Sequence, residues 1–116
     1  MFFVREPFIT KGGLPISIQA SSIHYCSPQQ NYGPWESVEI SLRHVGPDYL
    51  RIFDKVPELL DYAEYKKDPE QNDVYCWVPI HVAVKLIEAL GGLTDQDDVR
   101  FHDIYQPHRF PAPQTT

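Results

Sequence analysis

The sequence predicts an α+β domain, a small antiparallel sheet packed on one main helix, and three stretches carry that expectation. Val38, Ile40 and Leu42 alternate with Ser37, Glu39, Ser41 and Arg43, the two-residue period of a strand with one buried and one wet face. Val74-Tyr75-Cys76-Trp77-Val78 is a short β-branched and aromatic run, the composition of a further strand. Directly after it, Pro79 opens a segment ending at Leu90 in which Ile80, Val82, Ala83, Val84, Leu86, Ile87 and Leu90 cover most of a helical circumference. His81, Lys85 and Glu88 fall at i, i+4 and i+7 of that segment and make a single polar stripe.

Taken in chain order, Gly12-Gly13 marks a turn. Ile16, Ile18 and Ala20 then alternate with Ser17, Gln19 and Ser21 before the apolar register slips to Ile23 and Tyr25, which reads as a strand with a bulge near Ser21-Ser22. The stretch CSPQQNYGPW, residues 26–35, holds two prolines, Asn31 and Gly33, so it is a long loop, and the strand over 37–43 is expected to return antiparallel to the first. Val56, Leu59, Leu60 and Ala63 recur at helical spacing with Pro57 at the start, predicting a short acidic helix over 56–65. KKDPEQND is a polar turn, Gly91-Gly92 stops the main helix, and VRFHDIY, residues 99–105, reads as a last strand at an edge. Residues 1–105 are therefore expected to form one domain, and the proline-rich 106–116 a tail or an arm laid over this or another copy of the chain.

Composition narrows the function classes. The chain has 116 residues, 42% of them apolar, enough to bury about two-thirds of its unfolded surface without staples. Ten Lys and Arg against sixteen Asp and Glu give a net charge of −6 with no basic stripe, which argues against direct nucleic-acid binding by phosphate neutralisation. No apolar run approaches the roughly 20 residues of a membrane span, and the first residues, MFFVREP, do not read as a signal peptide. Two cysteines, Cys26 and Cys76, are too few for a disulfide framework and suit a reducing cytoplasm.

Five groups of residues could carry chemistry or binding. His24 and Cys26 share one face of a strand, and with Cys76 and His81 they supply zinc-type ligands, but no CxxC pair is present and no metal or cofactor is expected. Cys26 beside His24 or His44 could form an activated thiol, although nothing in the sequence orients the imidazole. Thr94, Asp95, Asp97, Asp98 and Asp103 match no calcium loop and read as a helix cap with solvated acids. Residues 54–73 hold seven acids and three bases. In the predicted helix Glu58, Asp61 and Glu64 stand three apart, forming a carboxylate stripe that could sit in a basic groove, with Lys55, Lys66 and Lys67 as neighbours. Finally, Tyr32 and Trp35 in the proline-bounded loop are the expected exposed hot-spot aromatics, whereas Tyr75 and Trp77 are assigned to packing.

The segments ISIQASSIHYCSP and VYCWVPIHVAVKLIEALGGL resemble small accessory proteins encoded by bacteriophages and prophages, with a hairpin core and a helix opened by Val-Pro and closed by Gly-Gly. The resemblance implies a bacterial cytoplasm and a role in countering or recruiting a host component. The leading expectation is thus a non-enzymatic inhibitor or adaptor that engages a basic host protein, for example one that handles nucleic acid, through Glu58, Asp61, Glu64, Tyr32 and Trp35. The alternative is a small-molecule or nucleotide-binding protein or enzyme that uses the 25–35 loop with His24, Tyr25 and Cys26.

Overall fold

The computed structural model describes residues 4–43, 47–65, 67–70 and 72–106, and of residues 47–49 the backbone alone. Four strands, β1 (Phe8–Ile9), β2 (Pro15–Gln19), β3 (Ser37–Ser41) and β4 (Val74–Pro79), form one antiparallel sheet in the order β1-β2-β3-β4. Two 3-10 helices, Pro47–Asp54 and Pro57–Tyr62, fill the connection between β3 and β4, and helices α1 (Ile80–Ala89) and α2 (Asp95–Tyr105) follow the sheet. The α+β class is therefore as the sequence predicts. Among the described residues no helix is long and apolar enough to cross a membrane.

The core follows from the strand periodicity. Ile16 and Ile18 of β2, Val38 and Ile40 of β3, and Tyr75 and Val78 of β4 are fully buried, and β2 pairs antiparallel with β3 through Ile18 and Ile40. Val82, Ala83, Leu86 and Ile87 form the buried stripe of α1, while His81, Lys85 and Glu88 are exposed. Ile80 and Leu90 lie at the margins of that stripe, half-buried. Gly91 and Gly92, at φ 96° and 85°, close α1 by donating to Glu88 and Ile87 carbonyls, a reversal that residues with a Cβ make only at a cost.

Five elements differ from the sequence reading, the first being the 3-10 helix Pro47–Asp54, to which no element was assigned. The first long strand ends at Gln19, and Ser21 to Tyr25 leave the sheet in turns rather than bulging within it. Ser21 is the cause, because its hydroxyl caps the Ile23 N–H at 3.1 Å and faces His24 Nδ1 at 2.6 Å, a local hydrogen-bonding pattern that competes with a ladder. The acidic helix over 56–65 is the shorter 3-10 turn Pro57–Tyr62, after which Ala63 bridges to Tyr75 and the Glu64 N–H donates to the Val74 carbonyl. Pairing with β4 thus stops the helix before Glu64. The 99–105 segment is helical, not an edge strand, for Thr94 caps α2, its hydroxyl accepting from Asp97 N–H, and Asp95, Asp97 and Asp98 fill the first turn, where carboxylates complement the helix dipole. Phe101 and Ile104 then fall on the buried side. Lastly, β1 is a strand that the sequence did not announce, since only two residues pair.

Asp97 joins α2 to that short strand. Its carboxylate accepts from Ile9 N–H at 2.7 Å and from Arg100 at 2.8 Å. Burial alone would favour the neutral acid, but the hydrogen bonds from Arg100 and Ile9 outweigh it and hold the carboxyl below its ordinary pKa. Phe8 meets Phe101 edge to face at 6.4 Å beneath the Arg100 guanidinium. Residues 107–116, which contain all but the first residue of the predicted tail, lie outside the described residues, as does His44.

Leu86 is fully buried in the helix stripe, so Leu86→Ala is expected to lower unfolding free energy by about 2–5 kcal/mol. Chemical denaturation measures it, and a loss under about 0.5 kcal/mol, the scale of a surface substitution, would place α1 on the surface.

Candidate functional site

The site begins with a miscount between two strands. Val38 pairs with Val78 and Ile40 with Tyr75, so two residues of β4, Cys76 and Trp77, stand opposite the single residue Glu39. Such a bulge turns side chains out of alternation. Trp77 adopts φ +50°, the one positive φ among the described non-glycine residues, a left-handed conformation costing about 1–2 kcal/mol for a side chain of this kind. Its indole consequently points outward and is 47% exposed, although the two-residue period places it with buried Tyr75. The expectation that Trp77 packs in the core is thus corrected, and the bulge is the reason.

Backbone and side-chain bonds fix what lies beside it. Trp77 N–H donates to the Tyr25 carbonyl at 2.9 Å, and Tyr25 N–H donates to Glu39 Oε2, also at 2.9 Å. The two rings meet with centroids 5.1 Å apart and planes tilted by 36°, and Tyr25 is itself 44% exposed. Facing them across the end of β4 is the segment that bridges Ala63 to Tyr75. Between these walls runs an open groove of about 500 Å³, lined by Tyr25 and Trp77, by Asp61, Tyr62, Ala63 and Glu64, and by Cys76.

The three acids of the predicted stripe divide at this groove. Glu58 does not line it; Lys85 of α1 reaches its carboxylate at 2.8 Å and holds its pKa down, so it ties the second 3-10 turn to α1. Asp61 lines it and touches Lys67 at 3.3 Å through one oxygen, both groups being well exposed, a pairing worth little. Glu64 lines it with no ion-pair partner among the described residues. Of the expected neutralisers, Lys67 serves, Lys55 forms no ion pair among the described residues, and Lys66 lies outside them; Lys85, the partner of Glu58, was not anticipated.

The loop aromatics divide too. Tyr32 is exposed, as expected, but does not line the groove. Trp35 is buried, not exposed: its N–H donates to the Ile104 carbonyl at 2.9 Å, its indole N–H reaches the Gln30 carbonyl, and Arg5 lies over its ring. Gly33 allows this closure, since a Cβ there would stand 2.8 Å from the indole.

The thiol and imidazole candidates are not assembled for chemistry. Cys26 and Cys76 are both free and buried. The Cys26 thiol contacts the Ser21 and Pro28 carbonyls, and burial raises its pKa. Cys76 is pushed up to about 11 by burial, with Glu64 and Glu39 adding to the shift, so at neutral pH it is a thiol without nucleophilic character. Buried His24 pairs with Ser21, not with Cys26, and burial lowers its pKa. Exposed His81 stands on the polar stripe of α1, and among the described residues no three His, Cys, Asp or Glu side chains could hold a metal ion. No family model matches the chain, and comparisons with curated proteins and with solved structures found no match; the reading of the site rests on its own geometry. Of the residues at this site the sequence did not single out Glu39 and assigned Trp77 to packing, and no glycine or proline within β4 before Pro79 marks the bulge.

Two outcomes follow from these positions. Trp77→Gly relieves the left-handed strain of about 1–2 kcal/mol while forfeiting the ring pair of about 0.5–1.5 kcal/mol and the contacts of the covered half of the indole, so its net loss in urea should fall clearly below the ~3–5 kcal/mol of a core aromatic. Tyr75→Ala, on a fully buried neighbour, should cost about 3–5 kcal/mol; comparable losses from both would return Trp77 to the core. For His24 the fold favours the neutral ring over its protonated form. The unfolded chain therefore gains a proton first as pH falls below about 6.5, and this contribution to stability is full above that pH and declines below it until the folded-state pKa is reached. His24→Gln should flatten that part of the decline in denaturation midpoints measured between about pH 7.5 and pH 5.5, the range spanning the free imidazole pKa.

Proposed function

We propose that this chain is a binding protein without chemistry of its own, and that it holds a cationic side chain of a basic protein partner in the groove between Trp77 and Glu64. The observation that carries the reading is the outward turn of Trp77 onto Tyr25 at a strained bulge, in a groove that Asp61 and Glu64 also line. A bulky residue held in a left-handed conformation to expose its ring is costly for the fold and useful to a ligand. Aromatic faces attract cations, and adjacent carboxylates add charge complementarity and partner steering. The groove thus draws on both sequence expectations: Asp61 and Glu64 come from the acidic stripe of the leading one, and Tyr25 from the set of His24, Tyr25 and Cys26 of the alternative. Glu58 belongs to the scaffold and Trp35 to the core. A thiol or imidazole mechanism has no comparable support, because Cys26, Cys76 and His24 are buried, burial keeps both thiols protonated, and His24 pairs with Ser21 instead of with either thiol.

Asp61→Lys with Glu64→Lys changes the net charge by +4, from −6 to −2. Glu88→Lys with Asp103→Lys makes the same change at exposed positions outside the groove. On a column bearing an immobilised peptide rich in Arg and Lys, the groove pair should elute at clearly lower salt than the control pair. Attraction between exposed charges is screened beyond about 8–10 Å at physiological ionic strength, so a local site responds to local charges. Equal elution of the two pairs would assign retention to overall charge and remove the groove from the reading.

A further inference from the structure

We infer that the cation this groove selects is an arginine guanidinium in preference to a lysine ammonium; the inference rests on the binding reading above. The groove offers two unlike surfaces to one cation: the partly exposed rings of Trp77 and Tyr25, and the acidic residues Asp61 and Glu64 that line it with them. A guanidinium is planar, so it can lie flat on an indole while its N–H edge points sideways to a carboxylate, in one or two parallel hydrogen bonds. An ammonium is a compact point charge with three diverging donors, and a ring face satisfies none of them. The remaining lining tells in the same direction. Ala63 is apolar, and the Cys76 thiol is protonated at neutral pH, so the walls provide little to replace a hydration shell. Guanidinium, the more weakly hydrated of the two cations, loses less on entering. Asp61 is engaged by Lys67 only at one oxygen and only between exposed groups, and Glu64 has no cation among the described residues, so the carboxylate side is open to an incoming fork.

The test titrates the full chain with three capped tripeptides, Gly-Arg-Gly, Gly-Lys-Gly and Gly-trimethyllysine-Gly, while following the indole N–H resonance of Trp77, assigned by its loss in Trp77→Phe. The arginine peptide should shift that resonance with a Kd about three- to fivefold below that of the lysine peptide, the size expected of a stacked cation at a partly exposed ring. In Asp61→Asn with Glu64→Gln the arginine preference should shrink to within about twofold, since the sideways hydrogen bonds lose their charge. Tyr25→Leu keeps its backbone bond to Trp77 and serves as a second variant, in which the preference should also fall. Equal or tighter binding of the lysine peptide would overturn the arginine inference and leave the binding reading standing. Tightest binding of trimethyllysine would overturn it as well, assigning the site to a quaternary ammonium. If none of the three peptides titrates the Trp77 resonance, the groove is not a cation site and the binding reading falls with the inference.

Discussion

The register between β3 and β4 is the constraint on which the rest of the structure depends. Val38 against Val78 and Ile40 against Tyr75 fix both strands in the core, and the spacing between those two pairs leaves two residues of β4 facing one of β3. Neither anchor can slip, because a one-residue shift would drive Tyr75 or Val78 toward solvent. The surplus residue must leave the pleat, and Trp77 does. The bulge is therefore the mechanical consequence of two well-buried anchors whose separations do not match.

Around that mismatch the molecule divides its charges by role. Glu39 sits opposite the bulge and receives the Tyr25 N–H, so a strand carboxylate holds in place the ring that stacks on Trp77. Glu58 is held by Lys85 and secures the second 3-10 turn to α1, while Asp97 is held by Arg100 and the Ile9 N–H and secures α2 to β1. These carboxylates are structural, since removing any of them leaves a donor without its partner. Asp61 and Glu64 are not so used, and they are the acids that border the groove. Two carboxylates, Asp61 held only by an exposed contact with Lys67 and Glu64 without an ion pair among the described residues, stand beside two partly exposed aromatic rings, a combination suited to a cation and poorly suited to an anion.

Interior packing also explains why the 26–35 loop is held as a strut. Its bridge from Ser27 to Ser37 and the bond from Trp35 N–H to the Ile104 carbonyl fasten it at both ends. Gly33 lets the chain close over the indole without a clash. The residues of that loop consequently couple the sheet to α2, and Tyr32 is exposed at its outer side.

By itself the sequence determined the elements whose signal is local. The alternation of Val38, Ile40 and Leu42 specified β3, the spacing from Ile80 to Leu90 with its terminal glycines specified α1, and Glu58, Asp61 and Glu64 were legible as a local concentration of carboxylates, because period and charge act within a few residues. Helix α2 was misread because VRFHDIY has strand-like composition, while the cap at Thr94 and the acids of the first turn, which decide its conformation, lie upstream of it. Only the tertiary structure decided which aromatics are exposed. Trp35 is buried by contacts with Ile104, Arg5 and Gly33, all remote from it or defined by loop closure, and Trp77 is exposed by a pairing mismatch between strands that are more than thirty residues apart. Burial of a side chain depends on what folds over it, and a strand's register depends on its partner, so neither is written in the residue's own neighbourhood.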